Sequence, residues 1–176
     1  MVVKVKIKND FVTNSSSSSF IVAWPHKVKK LSDVEGFIEL DKSDCVFKDS
    51  IHHMKIKDTK RVLNYIVKEL TSGWLPEFKW YFDDPEYYNI PNSVPENSPD
   101  YKEKNKLRMQ QFKEIWKKYD NINNEIATKI AKKFIEKNTG KYLYTYSYSD
   151  NDGSFFSRME HGDTFIKLEH IQISHH

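Results

Sequence analysis

Apolar and polar residues alternate or recur along this chain in a way that predicts a sheet and at least two helices. Residues 2–8 alternate Val or Ile with Lys at period two, the pattern of a half-buried strand. A second apolar run, 20–24, stops at Pro25. The polar stretch between them predicts a hairpin with a long loop. Ser32-Asp33-Val34-Glu35 matches a capping box, so a short helix to about Leu40 is expected, weakened by Gly36. Residues 45–48 and 54–56 read as short strands. Asp58 is placed to cap a helix whose apolar face is Val62, Leu63, Tyr65, Ile66, Val67 and Leu70, with Gly73 as its stop.

Further on, the aromatic run 78–82 reads as a strand. Residues 83–100 contain four prolines and predict an irregular connection. Ser98-Pro99 supplies a cap followed by proline at the first helical position. Met109, Phe112, Ile115, Trp116, Tyr119, Ile122, Ile126, Ile130 and Phe134 then recur at steps of three and four. They predict one long helix over 99–138, ended by Asn138 and Gly140. Residues 141–149 form a strand with Tyr142, Tyr144, Tyr146 and Tyr148 on one face, expected to pack on the long helix. Asp150 to Gly153 is a turn, and 164–168 and 170–174 are strand-like. The expectation is a single α+β domain over residues 1–176. An antiparallel or mixed sheet packs on one long helix and one or two shorter ones.

Composition agrees with a folded chain. Apolar residues are only 38%, but 14% of the chain is aromatic, and such rings bury large areas. The lone Cys45 excludes an internal disulfide and a multi-cysteine zinc site, and fits a reducing compartment. No apolar run approaches the roughly 20 residues that span a bilayer, so no membrane association is expected and a cytoplasmic location is.

Charge is unevenly spread. Residues 101–137 carry eleven Lys or Arg against five acids, whereas 83–100 carry five acids and no base. The basic helix, with Lys113, Lys117 and Lys118, and the tyrosine strand together suggest a surface for nucleic acid or for a host protein. Rings stack on bases while lysines meet phosphates. A solvated helix face and a packed tyrosine strand is the plainer reading.

Candidate chemistry concentrates in residues 150–176, which hold four of the seven histidines. His161, Asp163, His170, His175 and His176, with Glu160 nearby, are the residue types that bind Zn, Mn or Fe and would support a metal-dependent hydrolase of phosphate esters or nucleotides. The spacing matches no known metal motif, so a polar turn and a solvent-facing strand is the competing reading. Asp150-x-Asp152-Gly153 begins like a calcium loop but lacks an acid at the twelfth position, where His161 stands. Ser15, Ser16, Ser17, Ser18 and Ser19 form a hydroxyl-rich stretch that reads as a polar loop or a weak anion site. It lacks the glycines and lysine of a phosphate loop.

The segment N-D-F-V-T-N-S-S-S-S-S-F-I-V, residues 9–22, resembles an N-terminal signature of small bacterial and phage proteins, usually G-F-V-S-N-S-S-S-S-S-F-I-V. Asp10 and Thr13 depart from that pattern. The resemblance implies a phage or mobile-element origin and carries no catalytic assignment. Because no catalytic spacing is recognisable, the favoured reading is a phage-type binding protein acting on nucleic acid or another host macromolecule.

Overall fold

A computed structural model describes residues 17–38, 54–149 and 164–175. Four strands, β1 (Ser17–Trp24), β2 (Met54–Lys55), β3 (Tyr142–Ser149) and β4 (Glu169–Ser174), form one antiparallel sheet in the order β2-β3-β1-β4. The helices are α1 (Lys60–Leu70) and α2 (Tyr101–Asn138). The α+β architecture expected from the sequence is therefore present, with one long helix and one shorter one beside the sheet.

The centre of the sheet is β1. Phe20 lies opposite Tyr146 on one side and Gln172 on the other. Both edges of β1 are occupied, one by β3 and the other by β4; the strand expected over residues 2–8 lies outside the described residues. Ser17, Ser18 and Ser19 belong to this strand rather than to a loop. Ser18 and Ser19 are buried, because a residue in a central strand is covered on both faces whatever its polarity.

Both faces of the sheet are covered. Ile21, Ala23, Leu143 and Ile173 meet Val62, Ile66 and Leu70 of α1 and Ala127, Ala131, Phe134 and Ile135 of α2. The opposite face carries Phe20, Val22, Trp24, Tyr144 and Tyr146. They pack under Val34, Ile38, Phe165 and Leu168 from the two connecting segments. This corrects the expected placement of the tyrosines. Successive strand side chains alternate, and it is Leu143 and Thr145 that point at the helices, Thr145 Oγ1 lying 3.0 Å from the Tyr65 hydroxyl. Tyr146 accepts a hydrogen bond from Trp24 Nε1 at 3.0 Å, and burial pushes its own phenol well above the usual range.

Several local expectations give way to tertiary contacts. The capping-box segment forms a single 3-10 turn at Leu31–Asp33. Asp33 Oδ2 accepts from the Lys29 and Lys30 amides at 2.7 and 3.1 Å, so Asp33 organises the turn rather than Ser32. Those amide bonds lower the Asp33 pKa. Thr59, not Asp58, caps α1 through the Val62 amide. Ser98 Oγ is engaged by the Asp100 carboxylate at 2.7 Å, and α2 begins at Tyr101, two residues later than the Ser-Pro signal suggests. At the other end, Asn138 is fully buried and donates from Nδ2 to the Phe134 carbonyl, and Gly140 follows with φ +91°, as expected for a helix stop.

Gly73 lies beyond α1, which ends at Leu70 with Thr71 in the cap position. A Cβ at Gly73 would collide with the Ser174 carbonyl oxygen and with Ile173 Cγ2. Its role is close approach to β4. The adjacent Trp74 exchanges two backbone bonds with Ser174, at 2.6 and 3.1 Å.

Candidate functional site: an aromatic array beside a groove

At about 1.5 Å per residue, a helix of 38 residues is roughly 57 Å long. Its C-terminal half presents Ala127, Ala131, Phe134 and Asn138 to the core. The same stripe, followed back in steps of three and four, becomes Lys102, Lys106, Met109, Lys113, Trp116 and Asp120, all exposed. Among the described residues, the segment between α1 and α2 supplies the rings and the carboxylate that meet this N-terminal half.

That segment includes the predicted strand 78–82, where a 3-10 turn at Tyr81–Asp83 stands instead, and a second such turn follows at Tyr87–Asn89 in the irregular connection. Two polar contacts override its strand propensity. Asn123 grips Lys79, its side chain accepting from the Lys79 amide at 2.8 Å and donating to the Lys79 carbonyl at 3.0 Å. Lys118 Nζ donates to the buried Asp84 carboxylate at 2.6 Å. The Lys118 ammonium holds the Asp84 carboxyl below the usual carboxylate range and is itself shifted upward.

So pinned, the segment aligns its rings. Trp74 stacks on Trp80 (centroids 6.2 Å, 19°), and Trp80 stacks on Phe82 (5.3 Å, 14°). Phe82 meets Tyr81 edge-on, Tyr81 meets Trp116 edge-on, and Trp116 stacks on Phe112 (5.9 Å, 17°). Tyr87 and Tyr88 continue the series from Phe112. Trp80, Phe82, Trp116 and Tyr88 are 37, 41, 40 and 74% exposed, so the outer rings of this array face solvent. Arg108 lies 5.5 Å from the Phe112 ring centroid and donates to the Asn92 carbonyl.

The stack ends at a groove of about 410 Å³ lined by residues that include Trp74, Trp80, Phe78, Asp120, Asn124 and His175. His175 is a tied wall of it. Its Nε2 lies 2.8 Å from Ser19 Oγ and its Nδ1 3.3 Å from the Ser72 carbonyl. The Trp74 indole Nε1 is buried with no hydrogen-bond partner among the described residues.

The residues singled out from the sequence are distributed as follows. His170 stands on the sheet face opposite the helices, its ring 6.1 Å from both Phe20 and Phe165 and its Nδ1 3.0 Å from the Leu168 carbonyl. His175 is bound on the helix side, so strand alternation separates the two and they do not share a site. His161, Asp163 and His176 lie outside the described residues, as do Glu160, Ser15 and Ser16. Among the described residues no three of His, Cys, Asp and Glu come together in a group able to hold a metal. Lys113 and Lys117 are exposed beside Trp116 and make no ion pair among the described residues, whereas Lys118 is engaged by Asp84.

The sequence reading did not identify Trp74, Trp80 or Phe82 as site residues. The available signal was the composition of 78–88: six aromatics with no Val or Leu, interrupted by Asp83-Asp84-Pro85. That is poor material for a buried strand. No helix among the described residues is long and apolar enough to cross a membrane. Comparisons with protein-family models, curated proteins and solved structures found no match for this chain.

Proposed function

We propose that the protein is a binding protein that engages single-stranded nucleic acid through the array of rings and the lysines of α2. The observation that carries this reading is the near-parallel Trp74–Trp80–Phe82 stack, in which Trp80 and Phe82 are exposed. Exposed rings beside lysines that make no ion pair among the described residues suit unstacked bases joined by phosphates. In a duplex the base faces are covered by their neighbours, so single strands fit better. Lys113 and Lys117 supply the charge next to Trp116. Asp84 is neutralised by Lys118, which removes one acid from the edge of the surface. The N-terminal signature fits a protein of phage or prophage type.

The test is fluorescence anisotropy of a labelled single-stranded oligonucleotide over a range of salt. Binding should fall with a log–log slope of about −0.7 per phosphate contact. Trp80→Ala and Phe82→Ala should each weaken it by about 1–3 kcal/mol, or roughly 5- to 150-fold. No binding at low salt refutes the proposal.

A further inference from the structure

We propose that a single strand leaving the ring array runs lengthwise along the N-terminal half of α2, with its phosphates on Lys117, Lys113, Lys106 and Lys102. The inference rests on the nucleic-acid reading and adds to it a path, a direction and two further binding residues.

Six lysines lie between Tyr101 and Tyr119. Two of them are engaged by acids, Lys104 by Asp100 at 2.8 Å and Lys118 by Asp84 at 2.6 Å. The other four, Lys102, Lys106, Lys113 and Lys117, are exposed and make no ion pair among the described residues. The helical repeat separates the two groups. At about 100° per residue the unpaired four fall within about 60° of one another, whereas Lys104 and Lys118 stand about 100° or more from each of them. Glu103 and Glu114, the acids of this stretch, pair with none of the four. Met109 and Trp116, 36 and 40% exposed, border the row on the side where Trp116 stacks on Phe112. Charge for phosphates and apolar surface for bases therefore run side by side, continuous with the rings.

The row has one way to run. Toward the C-terminus the exposed Asp120 interrupts it, and the same line of the helix then enters the core at Ala127, Ala131 and Asn138. Toward the N-terminus it stays open as far as Lys102. From Lys117 to Lys102 it covers about 22 Å of helix at about 1.5 Å per residue, which suits several consecutive phosphates rather than one nucleotide.

The test is anisotropy of labelled oligo(dT) of about 12 and about 4 nucleotides, lengths within the range of single-strand sites. With the double substitution Lys102→Ala and Lys106→Ala, the longer oligonucleotide should lose about 1.4 from its salt slope, which at about 0.1 M salt is roughly 25-fold in affinity. The shorter one, held at the rings, should be unaffected. Lys129→Ala with Lys132→Ala removes the same charge from exposed positions off the row and should change neither. Equal losses in the two double variants, or equal losses at both lengths, overturn the path, because the lysines then act only through net charge. So does a duplex, or a polyglutamate of equal charge, that binds as tightly as the longer oligonucleotide. If Trp80→Ala weakens binding while the loss of Lys102 and Lys106 does not, the path falls and the ring array stands. If neither oligonucleotide binds the parent protein at low salt, the nucleic-acid reading itself falls.

Discussion

Replacing Gly73 by alanine tests how tightly the groove wall is fastened to the sheet. The added Cβ would lie too close to the Ser174 carbonyl oxygen, Ile173 Cγ2 and His175 Nδ1 for all three to stay in place. Relief by parting the strands stretches the two Trp74–Ser174 backbone bonds. At about 0.5–1.5 kcal/mol each, that costs about 1–3 kcal/mol. Relief by displacing side chains in a packed core costs about the same. The chain relaxes by whichever route is cheaper, so Gly73→Ala should lose about 1–3 kcal/mol of stability in urea unfolding. For a chain of this length the melting temperature should fall by about 2–4 °C per kcal/mol. Gly140→Ala is the control. Its Cβ has open space but φ is +91°, so the same order of loss, about 1–2 kcal/mol, arises from backbone strain alone. Amide exchange separates the two. Trp74 and Ser174 should lose protection in Gly73→Ala and keep it in Gly140→Ala. A Gly73→Ala protein within about 0.5 kcal/mol of the parent, with both amides still protected, refutes the crowding argument.

The Asp84–Lys118 bond gives a pH signature. Because the folded carboxyl titrates below its unfolded value, the stabilisation is complete above the unfolded pKa and is lost as pH falls through the folded one. Stability should drop below about pH 4, and Asp84→Asn should flatten part of that limb in acid unfolding curves. Asn138→Ala removes a fully buried amide that donates to Phe134 and accepts from Lys141 Nζ at 2.9 Å. It should cost about 1–3 kcal/mol by chemical denaturation. The double substitution Lys113→Ala and Lys117→Ala should leave stability within about 0.5 kcal/mol. It should also reduce the salt slope of single-strand binding by about 1.4, seen in anisotropy titrations. An unchanged slope would place the phosphates elsewhere.

Elements with internal periodicity were legible in the sequence. The spacing of Phe112, Ile115, Ile130 and Phe134 marks α2, and the alternation of 142–149 marks β3. What failed was decided by partners far along the chain. The serines of β1 look like loop because hydroxyls are usually exposed, yet Ser18 and Ser19 are buried between strands whose paired residues are 128 or more positions away. Residues 78–82 have strand propensity, but Asn123 and Lys118 on α2 bend them into a turn. Which face of β3 meets the helices depended on register, which a single strand does not encode. The rings of the candidate site were visible one by one. Their alignment depended on the Asp84 and Asn123 contacts, which no local pattern announces.

The position of β1 also sets the order in which the chain can assemble. Trp24 and Tyr146 are 122 residues apart, and Ser19 and His175 are 156 apart. During synthesis at about 5–20 residues per second, this strand waits several seconds for either neighbour. For that interval an eight-residue segment with two open edges and the run Phe-Ile-Val-Ala-Trp is exposed, whereas α1 and α2 need only local contacts to start forming. The nascent chain therefore depends most on protection from self-association before residue 142 emerges. Solubility during expression should respond more to substitutions in β1 than to equally destabilising ones in α1.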